Sequence, residues 1–104
     1  MIRHILLIQF KSSATDEEIE KTRELFEAIP NKIEGVISAE WGVNDSLENL
    51  NQGYTHSVLM SFADEPARQY YLPHPEHDSL KTFFTPFIEN IIVFDYKLKP
   101  NTTN

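Results

Sequence analysis

The sequence of 104 residues contains no cysteine. A chain without cysteine cannot form a disulfide, use a thiolate as a nucleophile or bind a metal ion through a thiolate. Glycine is also scarce, with three residues in the whole chain. The chain has no glycine-rich phosphate loop, no dinucleotide-binding fingerprint and no serine-nucleophile motif. These absences exclude several of the commonest kinds of enzyme site.

Positive charge and long apolar runs are in short supply as well. Nine lysine and arginine residues stand against sixteen aspartate and glutamate residues, which gives a net charge of −7. Nucleic-acid binding needs clustered basic side chains, so this balance argues against it. The apolar run at residues 5–8 is too short for a signal-peptide core or a membrane span. We therefore expect a cytoplasmic protein without a nucleic-acid or membrane partner.

Alternating side chains predict four strands, at residues 3–11, 36–43, 54–62 and 91–98. Both faces of the first strand are largely apolar, so we expect it to be central in its sheet and covered on both sides. In the second strand Ile37, Ala39 and Trp41 share one face. The segment 44–53 is polar and rich in asparagine, which is typical of a loop.

Helix start signals occur twice between these strands. Thr15 is a predicted N-cap with Glu18 closing a capping box, and Asp64 caps a second helix with Pro66 in its first turn. The second helix must break at residues 72–75, because two prolines there cannot both lie in a helix interior. The apolar stripe of the first helical region is Ile19, Thr22, Leu25, Phe26, Ile29 and Ile33; that of the piece after the break is His77, Leu80, Phe84, Phe87 and Ile88.

The order of these elements is β-α-β-β-α-β, which is the ferredoxin-like arrangement. It predicts an α+β domain over residues 1–98 with a four-stranded antiparallel sheet, followed by a flexible tail at residues 99–104. Helices that cover one face of such a sheet leave its other face bare. A second copy of the chain is the simplest cover, so we expect a homodimer.

Three histidines lie on faces that are otherwise apolar. His4 shares a strand face with Leu6, and His56 shares one with Val58. His77 lies on the same helix face as Leu80. A buried imidazole needs a hydrogen-bond partner, and it can also move protons near neutral pH. We expect His4 and His56 to line one cavity and His77 to reach its mouth. The alternative interpretation is three separate histidines that only order the core.

Tyr71 and His77 flank the proline break, which would let a proton donor and a base face one space. The alternative is a purely mechanical break, with His77 packing at the helix start. His74 and His77 straddle the break, and no third residue has the spacing of a metal ligand. We therefore predict neither a metal site nor a cofactor.

The sequence resembles the stress-responsive A/B barrel (Dabb) family along nearly its whole length. The residues that carry the resemblance are His4-Ile5-Leu6-Leu7, Phe10-Lys11, Trp41-Gly42, Gly53-Tyr54-Thr55-His56, Tyr71, His74-Pro75-Glu76-His77 and Phe94-Asp95-Tyr96. The resemblance implies a dimeric α+β barrel in which two ferredoxin-like sheets pack face to face.

One plant branch of this family closes polyketide rings by aldol condensation, and its pocket residues match His4, His56, Tyr71 and His77. The resemblance implies that His77 is a base and that Tyr71 assists at a carbonyl, while His4 and His56 bind the substrate. We expect a small hydrophobic carbonyl ligand and proton transfer beside its carbonyl, of the aldol cyclase, lyase or isomerase type. Two alternatives stay open: a non-catalytic binding or structural dimer, and a cofactor-free enzyme of the monooxygenase or muconolactone-isomerase kind.

Overall fold

Four strands and three α-helices account for most of residues 1–99, which are the residues that the computed structural model describes. In chain order they are β1 (Ile2–Phe10), α1 (Asp16–Ala28), β2 (Val36–Val43), β3 (His56–Phe62), α2 (Glu65–Tyr71), α3 (Pro75–Phe84) and β4 (Ile88–Lys97). Single 3-10 turns at Ile29–Asn31 and Thr85–Phe87 follow α1 and α3. The predicted tail lies, apart from Lys99, outside the described residues.

The strands form one antiparallel sheet in the order β2-β3-β1-β4. This order confirms the ferredoxin-like α+β prediction and places β1 in the interior of the sheet. In the register, His4 pairs with Met60 of β3 and with Asp95 of β4. Side chains of paired residues point to the same face, so these three share the face that carries the core.

The core lies between that face and the helices. Its buried apolar members are Ile2, Leu6, Ile8, Phe26, Ile29, Ile33, Val36, Val58, Met60, Phe62, Ala67, Tyr71, Leu80 and Phe84. The predicted capping box is present, because the Glu18 amide donates to the Thr15 hydroxyl and the Glu18 carboxylate accepts from the Thr15 amide. Asp64 caps α2 at the amide of Ala67, also as predicted.

The proline break between α2 and α3 is confirmed. Helix α2 ends at Tyr71 and helix α3 begins at Pro75. His74 is the N-cap of α3, and its Nδ1 accepts a hydrogen bond from the Glu76 amide. The break therefore places Tyr71 at the end of one helix and His77 in the first turn of the next.

Two predicted boundaries and one predicted face are wrong. Strand β3 begins at His56 because the amide of Tyr54 bonds back to the Asn51 carbonyl in the loop. Strand β4 begins at Ile88, because a proline-containing turn at Thr85–Phe87 follows the end of α3. Ile88 therefore belongs to the sheet and not to the apolar stripe of a helix. A register shift between Val36 and Ser38 turns Ile37 outward, and it is 55% exposed.

The face of the sheet away from the helices is here called the open face. Its exposed large apolar side chains are Leu7, Ile92, Phe94 and Tyr96. The first strand is thus central as expected, but only one of its faces is covered within the chain. Within residues 1–99, no helix has both the length and the apolar character to cross a bilayer. A cytoplasmic location stays a prediction.

Candidate active site

A cavity of about 320 Å³ opens between the helix-facing side of β1 and β4 and the helices α1 and α3. We call it the histidine cavity. Its lining residues are His4, Leu6, Phe26, Tyr71, His77, Lys81, Phe84, Thr85, Ile88, Ile91 and Val93. Most of this wall is apolar, and the polar groups converge at one end, which is the usual make-up of a small-molecule site.

Tyr71 and His77 lie against each other in this cavity. Their rings stack with centroids 4.1 Å apart and planes 28° apart. The Tyr71 ring also packs on Phe62 of β3, at a centroid distance of 5.0 Å. The proline break sets this pair, because it lets the first turn of α3 fold back over the last turn of α2.

His77 is held in one tautomer by the backbone. Its Nδ1 lies 2.9 Å from the Leu72 carbonyl oxygen. A carbonyl can only accept, so Nδ1 carries the proton and Nε2 keeps a lone pair. Burial lowers the pKa of His77, with smaller lowering contributions from the charges of Lys81 and His4, while the bond to Leu72 acts in the opposite direction. The imidazole is therefore neutral at pH 7 and able to accept a proton.

Tyr71 is the complementary group. Burial, and secondarily the charge of Asp95, raises the pKa of its hydroxyl far above the ordinary value of a tyrosine, so the hydroxyl stays protonated. Within residues 1–99 this hydroxyl has no hydrogen-bond partner. Every fully buried polar side-chain atom in that part of the chain does have one, so the hydroxyl oxygen is not fully buried. It follows that the hydroxyl is open to the cavity as a donor.

His4 occupies the same end of the cavity and is 6% exposed. Its ring meets the ring of Tyr71 edge-on at 5.9 Å. Its Nδ1 lies 2.6 Å from Oδ1 of Asp95, and the other oxygen of Asp95 accepts from Arg68 at 3.2 Å. Three of the four predicted site residues thus meet in one cavity.

His56 does not. It lies on the same face of the sheet, but it is opposite Ile8, four residues along β1 from His4, which is about 13 Å. Its ring packs between Phe10 and Trp41 at centroid distances of 5.1 and 5.4 Å. The expectation that His4 and His56 share a cavity is therefore wrong.

His56 instead lines a separate cavity of about 530 Å³ under the loop between β2 and β3. Its Nδ1 lies 2.7 Å from the Thr55 hydroxyl, and burial lowers its pKa. The remaining wall of this loop cavity combines polar loop residues, such as Asn44, Glu48 and Gln52, with the apolar side chains of Leu7, Val43, Leu50 and Ile92. The structure thus assigns His56 to different surroundings from the other three residues.

Sequence reasoning missed Asp95 and Lys81. Asp95 was part of the matching motif, but its role follows only from the pairing of β4 with β1, which puts it opposite His4. The signal that could have found it is a lone acidic residue on the helix-facing side of an otherwise apolar strand. Within residues 1–99, no three or more histidine, aspartate or glutamate side chains are grouped to hold a metal ion.

Three known proteins are similar to this chain over most of their length, among them the following two. A stress-response A/B barrel domain-containing protein of Arabidopsis thaliana is 35% identical over 96 residues, covering 92% of this chain and 88% of that protein. Olivetolic acid cyclase of Cannabis sativa is 27% identical over 95 residues, covering 91% of this chain and 94% of the cyclase.

Solved structures agree in fold. A crystal structure of an Arabidopsis thaliana protein superposes with a TM-score of 0.91 at 33% identity, covering 99% of this chain and 100% of that one. A hydroxynitrile lyase of Passiflora edulis has a TM-score of 0.89 at 20% identity, covering 98% and 96%. A dimeric ferredoxin-like protein of Thermobifida fusca has a TM-score of 0.80 at 22% identity, covering 93% and 90%. The last two show a shared fold.

The profile of the stress-responsive A/B barrel domain matches residues 2–98. The matched residues include every strand and helix described above and every residue that lines the histidine cavity. The chain belongs to the stress-responsive A/B barrel (Dabb) family.

Proposed function

We propose that this protein catalyses proton transfer at a carbon next to the carbonyl of a small, largely apolar ligand bound in the histidine cavity. The reaction is then of the aldol cyclase, lyase or isomerase type, each of which passes through an enolate. One observation carries the proposal: the imidazole of His77 and the phenol of Tyr71 stack on each other at the polar end of an apolar cavity.

In the proposed step, Nε2 of His77 takes the proton from the carbon beside the carbonyl. The electrons of that C–H bond move into the new C=C bond, and the carbonyl oxygen becomes an enolate oxygen. The Tyr71 hydroxyl donates a hydrogen bond to this oxygen as its charge develops. Such a donor is more effective in an apolar cavity than in water.

Burial favours the working form of both groups. It lowers the pKa of His77 and raises that of Tyr71, so that base and donor are each neutral and ready at pH 7. A solvent-exposed histidine would be partly protonated there. His4 is the third polar group at this end and serves to orient the ligand. No part in this step is proposed for His56, because it lies in the loop cavity.

The size and lining of the cavity indicate the ligand class. A volume of about 320 Å³ is at the lower end of the range of small-molecule sites. Its walls of Leu6, Phe26, Phe84, Ile91 and Val93 favour a hydrocarbon portion. The cyclase name of the Cannabis sativa relative is consistent with such chemistry.

The partner that we propose is a second copy of this chain on the open face. Leu7, Ile92, Phe94 and Tyr96 form a continuous apolar column across β1 and β4, and each is more than a third exposed. Single exposed apolar residues are normal, but a contiguous group of this kind marks an interaction surface. The dimeric neighbour from Thermobifida fusca, which shares the fold, is consistent with this arrangement.

The rival interpretation is a binding or structural module. A filled barrel with Tyr71 and His77 bonded to backbone would favour it. Here His77 does bond to the Leu72 carbonyl, but through Nδ1 only, and both side chains line an open cavity. An enzyme that uses molecular oxygen is the second rival, and it would consume oxygen with an electron-rich aromatic substrate.

Exchange of carbon-bound hydrogen for deuterium tests the proposal without knowledge of the natural substrate. Small ketones such as cyclohexanone, acetophenone and diacetone alcohol would be incubated with the protein in D₂O and followed by proton NMR. For at least one ketone we expect catalysed loss of the proton signal of the carbon next to the carbonyl, and a loss about 10²- to 10⁴-fold slower with the variant H77N. Binding without exchange would support the binding module, and oxygen uptake would support the oxygenase.

A further inference from the structure

His4, Asp95 and Arg68 form a chain that leads from the histidine cavity to the protein surface. Asp95 uses one oxygen for Nδ1 of His4, at 2.6 Å, and the other for Nη1 of Arg68, at 3.2 Å. Arg68 is held in turn by Glu65, one turn earlier on α2. The side chains of Asp95 and Arg68 are 24% and 23% exposed. Such a chain restricts the orientation of each of its members.

The carboxylate determines which nitrogen of His4 carries the proton. A carboxylate accepts hydrogen bonds, so Nδ1 of His4 donates to Asp95, and in the neutral imidazole Nε2 is the atom that keeps a lone pair. Within residues 1–99, Nε2 of His4 has no hydrogen-bond partner. Every fully buried polar side-chain atom in that part of the chain does have one, so Nε2 is not fully buried. Nε2 is therefore open to the cavity, and it faces the ligand as a hydrogen-bond acceptor.

The polar end of the cavity then has a defined pattern of donors and acceptors. Tyr71 offers a donor, while His77 and His4 each offer an acceptor. An acidic C–H of the ligand satisfies His77 and its carbonyl oxygen satisfies Tyr71. A simple ketone leaves His4 unmatched, and an unmatched buried acceptor costs affinity. A ligand that also carries a hydroxyl or enol O–H satisfies all three groups.

We propose that Asp95 and Arg68 are positioning residues that present Nε2 of His4 as an acceptor, and that the ligand is a small hydroxy-carbonyl or enolised dicarbonyl compound whose O–H donates to it. The proposal deepens the function argued above and rests on it for the carbonyl. It adds one requirement, the O–H group, which aldol products and enolised 1,3-diketones both meet.

The tautomer of His4 can be measured directly and does not depend on turnover. Long-range ¹H–¹⁵N correlation spectra of the imidazole distinguish protonation at Nδ1 from protonation at Nε2. We expect the Nδ1–H form in the native protein. A native protein with the Nε2–H form would overturn the positioning role of Asp95 while leaving the His77–Tyr71 step untouched.

The variant D95N makes the test sharper. Arg68 can only donate, so it holds the oxygen of the new amide and turns the amide NH₂ towards His4. The NH₂ then donates to Nδ1, and the imidazole must move its proton to Nε2. We expect this tautomer switch in D95N and its absence in E89Q, which makes the same change of charge at an exposed residue of β4.

Arg68 has its own measurable effect. In R68M the carboxylate still accepts from His4, so the native tautomer persists. In the double variant D95N/R68M nothing holds the amide oxygen, and both tautomers should be seen. If D95N alone already gives a mixture, Arg68 does not orient residue 95 and its positioning role is overturned. R68M also serves where D95N folds poorly, since the tautomer of His4 is then still readable.

The ligand requirement is tested with a matched pair, diacetone alcohol and its O-methyl ether. The two have the same carbonyl and carbon skeleton, but the ether lacks the O–H. In NMR titrations we expect the native protein to bind the alcohol up to about tenfold more tightly, the value of one net hydrogen bond. D95N should lose this preference. Equal binding of alcohol and ether by the native protein would overturn the O–H requirement, whereas exchange of carbon-bound hydrogen in either compound still reports on His77.

Discussion

The ring of Tyr71 is stacked on the imidazole of His77, with centroids 4.1 Å apart. This contact joins two groups whose neutral forms are favoured by burial for the same reason. Desolvation disfavours the phenolate of Tyr71 and the imidazolium of His77 alike. A donor and a base that are both neutral in the same largely apolar cavity suit the formation of an enolate. The proline break between α2 and α3 is the local feature that produces the contact.

Replacement of His77 by asparagine should abolish most of the exchange of ketone hydrogen for deuterium. A general base contributes about 10²- to 10⁴-fold to a rate, so we expect a loss in that range, measured by proton NMR. H74N is the matched control, because asparagine is also a good N-cap and keeps the cap of α3. Equal losses in the two variants, or a loss of folding seen by circular dichroism in H77N, would contradict the role of His77.

Removal of the Tyr71 hydroxyl should slow exchange while the protein stays folded. In Y71F the ring still packs on Phe62 and His77, so we expect little change in melting temperature. Loss of one donor to an enolate oxygen costs about 10²- to 10³-fold in rate. The control Y70F removes the hydroxyl of an exposed neighbour on the same helix. An unchanged exchange rate in Y71F would show that another group stabilises the enolate.

Much of the fold could be predicted from the sequence, because local signals agreed with one another. The capping box at Thr15, the cap at Asp64 and the two prolines at residues 73 and 75 each act through neighbours in the chain. The wrongly predicted face came from an interaction that is not local. Ile37 faces outward because of a register shift against β3, and no alternation of side chains within β2 contains that information.

The same distinction applies to the candidate site. Tyr71 and His77 were predicted together because only five residues, which include the proline break, separate them. His4 and His56 were placed in one cavity because they lie on neighbouring strands and on the same face. Their separation depends on the antiparallel register, which puts His56 opposite Ile8. Asp95 was missed for a related reason, since its partner His4 is 91 residues away in the sequence.

The pH dependence of exchange should follow from the lowered pKa of His77. The base acts when it is neutral, so the rate rises with pH, and the midpoint of this rise lies below the ordinary imidazole pKa of 6.5. The free energy of unfolding changes with pH in the same direction. As pH falls below 6.5, the unfolded chain binds the proton before the folded chain does. Stability that is present above pH 6.5 is therefore lost as pH falls towards the lower pKa of the folded state. A rate profile with its midpoint above 6.5 would contradict the burial of His77.

The start of β2 should tolerate no side chain at Gly35. This residue has a φ of +93°, and a Cβ built on it would lie 2.6 Å from the Cβ of Ala67 on α2. We expect G35A to lower the free energy of unfolding by about 1–3 kcal/mol, measured by urea denaturation. G53A is the matched control, because Gly53 has a φ of +86° but its nearest neighbour is the flexible side chain of Gln9. Equal effects would mean that backbone strain alone, and not contact with α2, requires glycine at residue 35.

A charge on the open face should separate the two copies that we propose. Phe94 is 60% exposed in the single chain and lies opposite Ile5 in the middle of the apolar column. In F94E a dimer would have to bury an unpaired carboxylate, which is strongly unfavourable. We therefore expect sedimentation velocity to show a dimer for the native protein and a monomer for F94E. Y70E places the same charge on the helix layer, where Tyr70 is exposed, and should remain dimeric. A native protein that sediments as a monomer at micromolar concentration would contradict the assignment of the open face, because its apolar column would then lie in water without a cover.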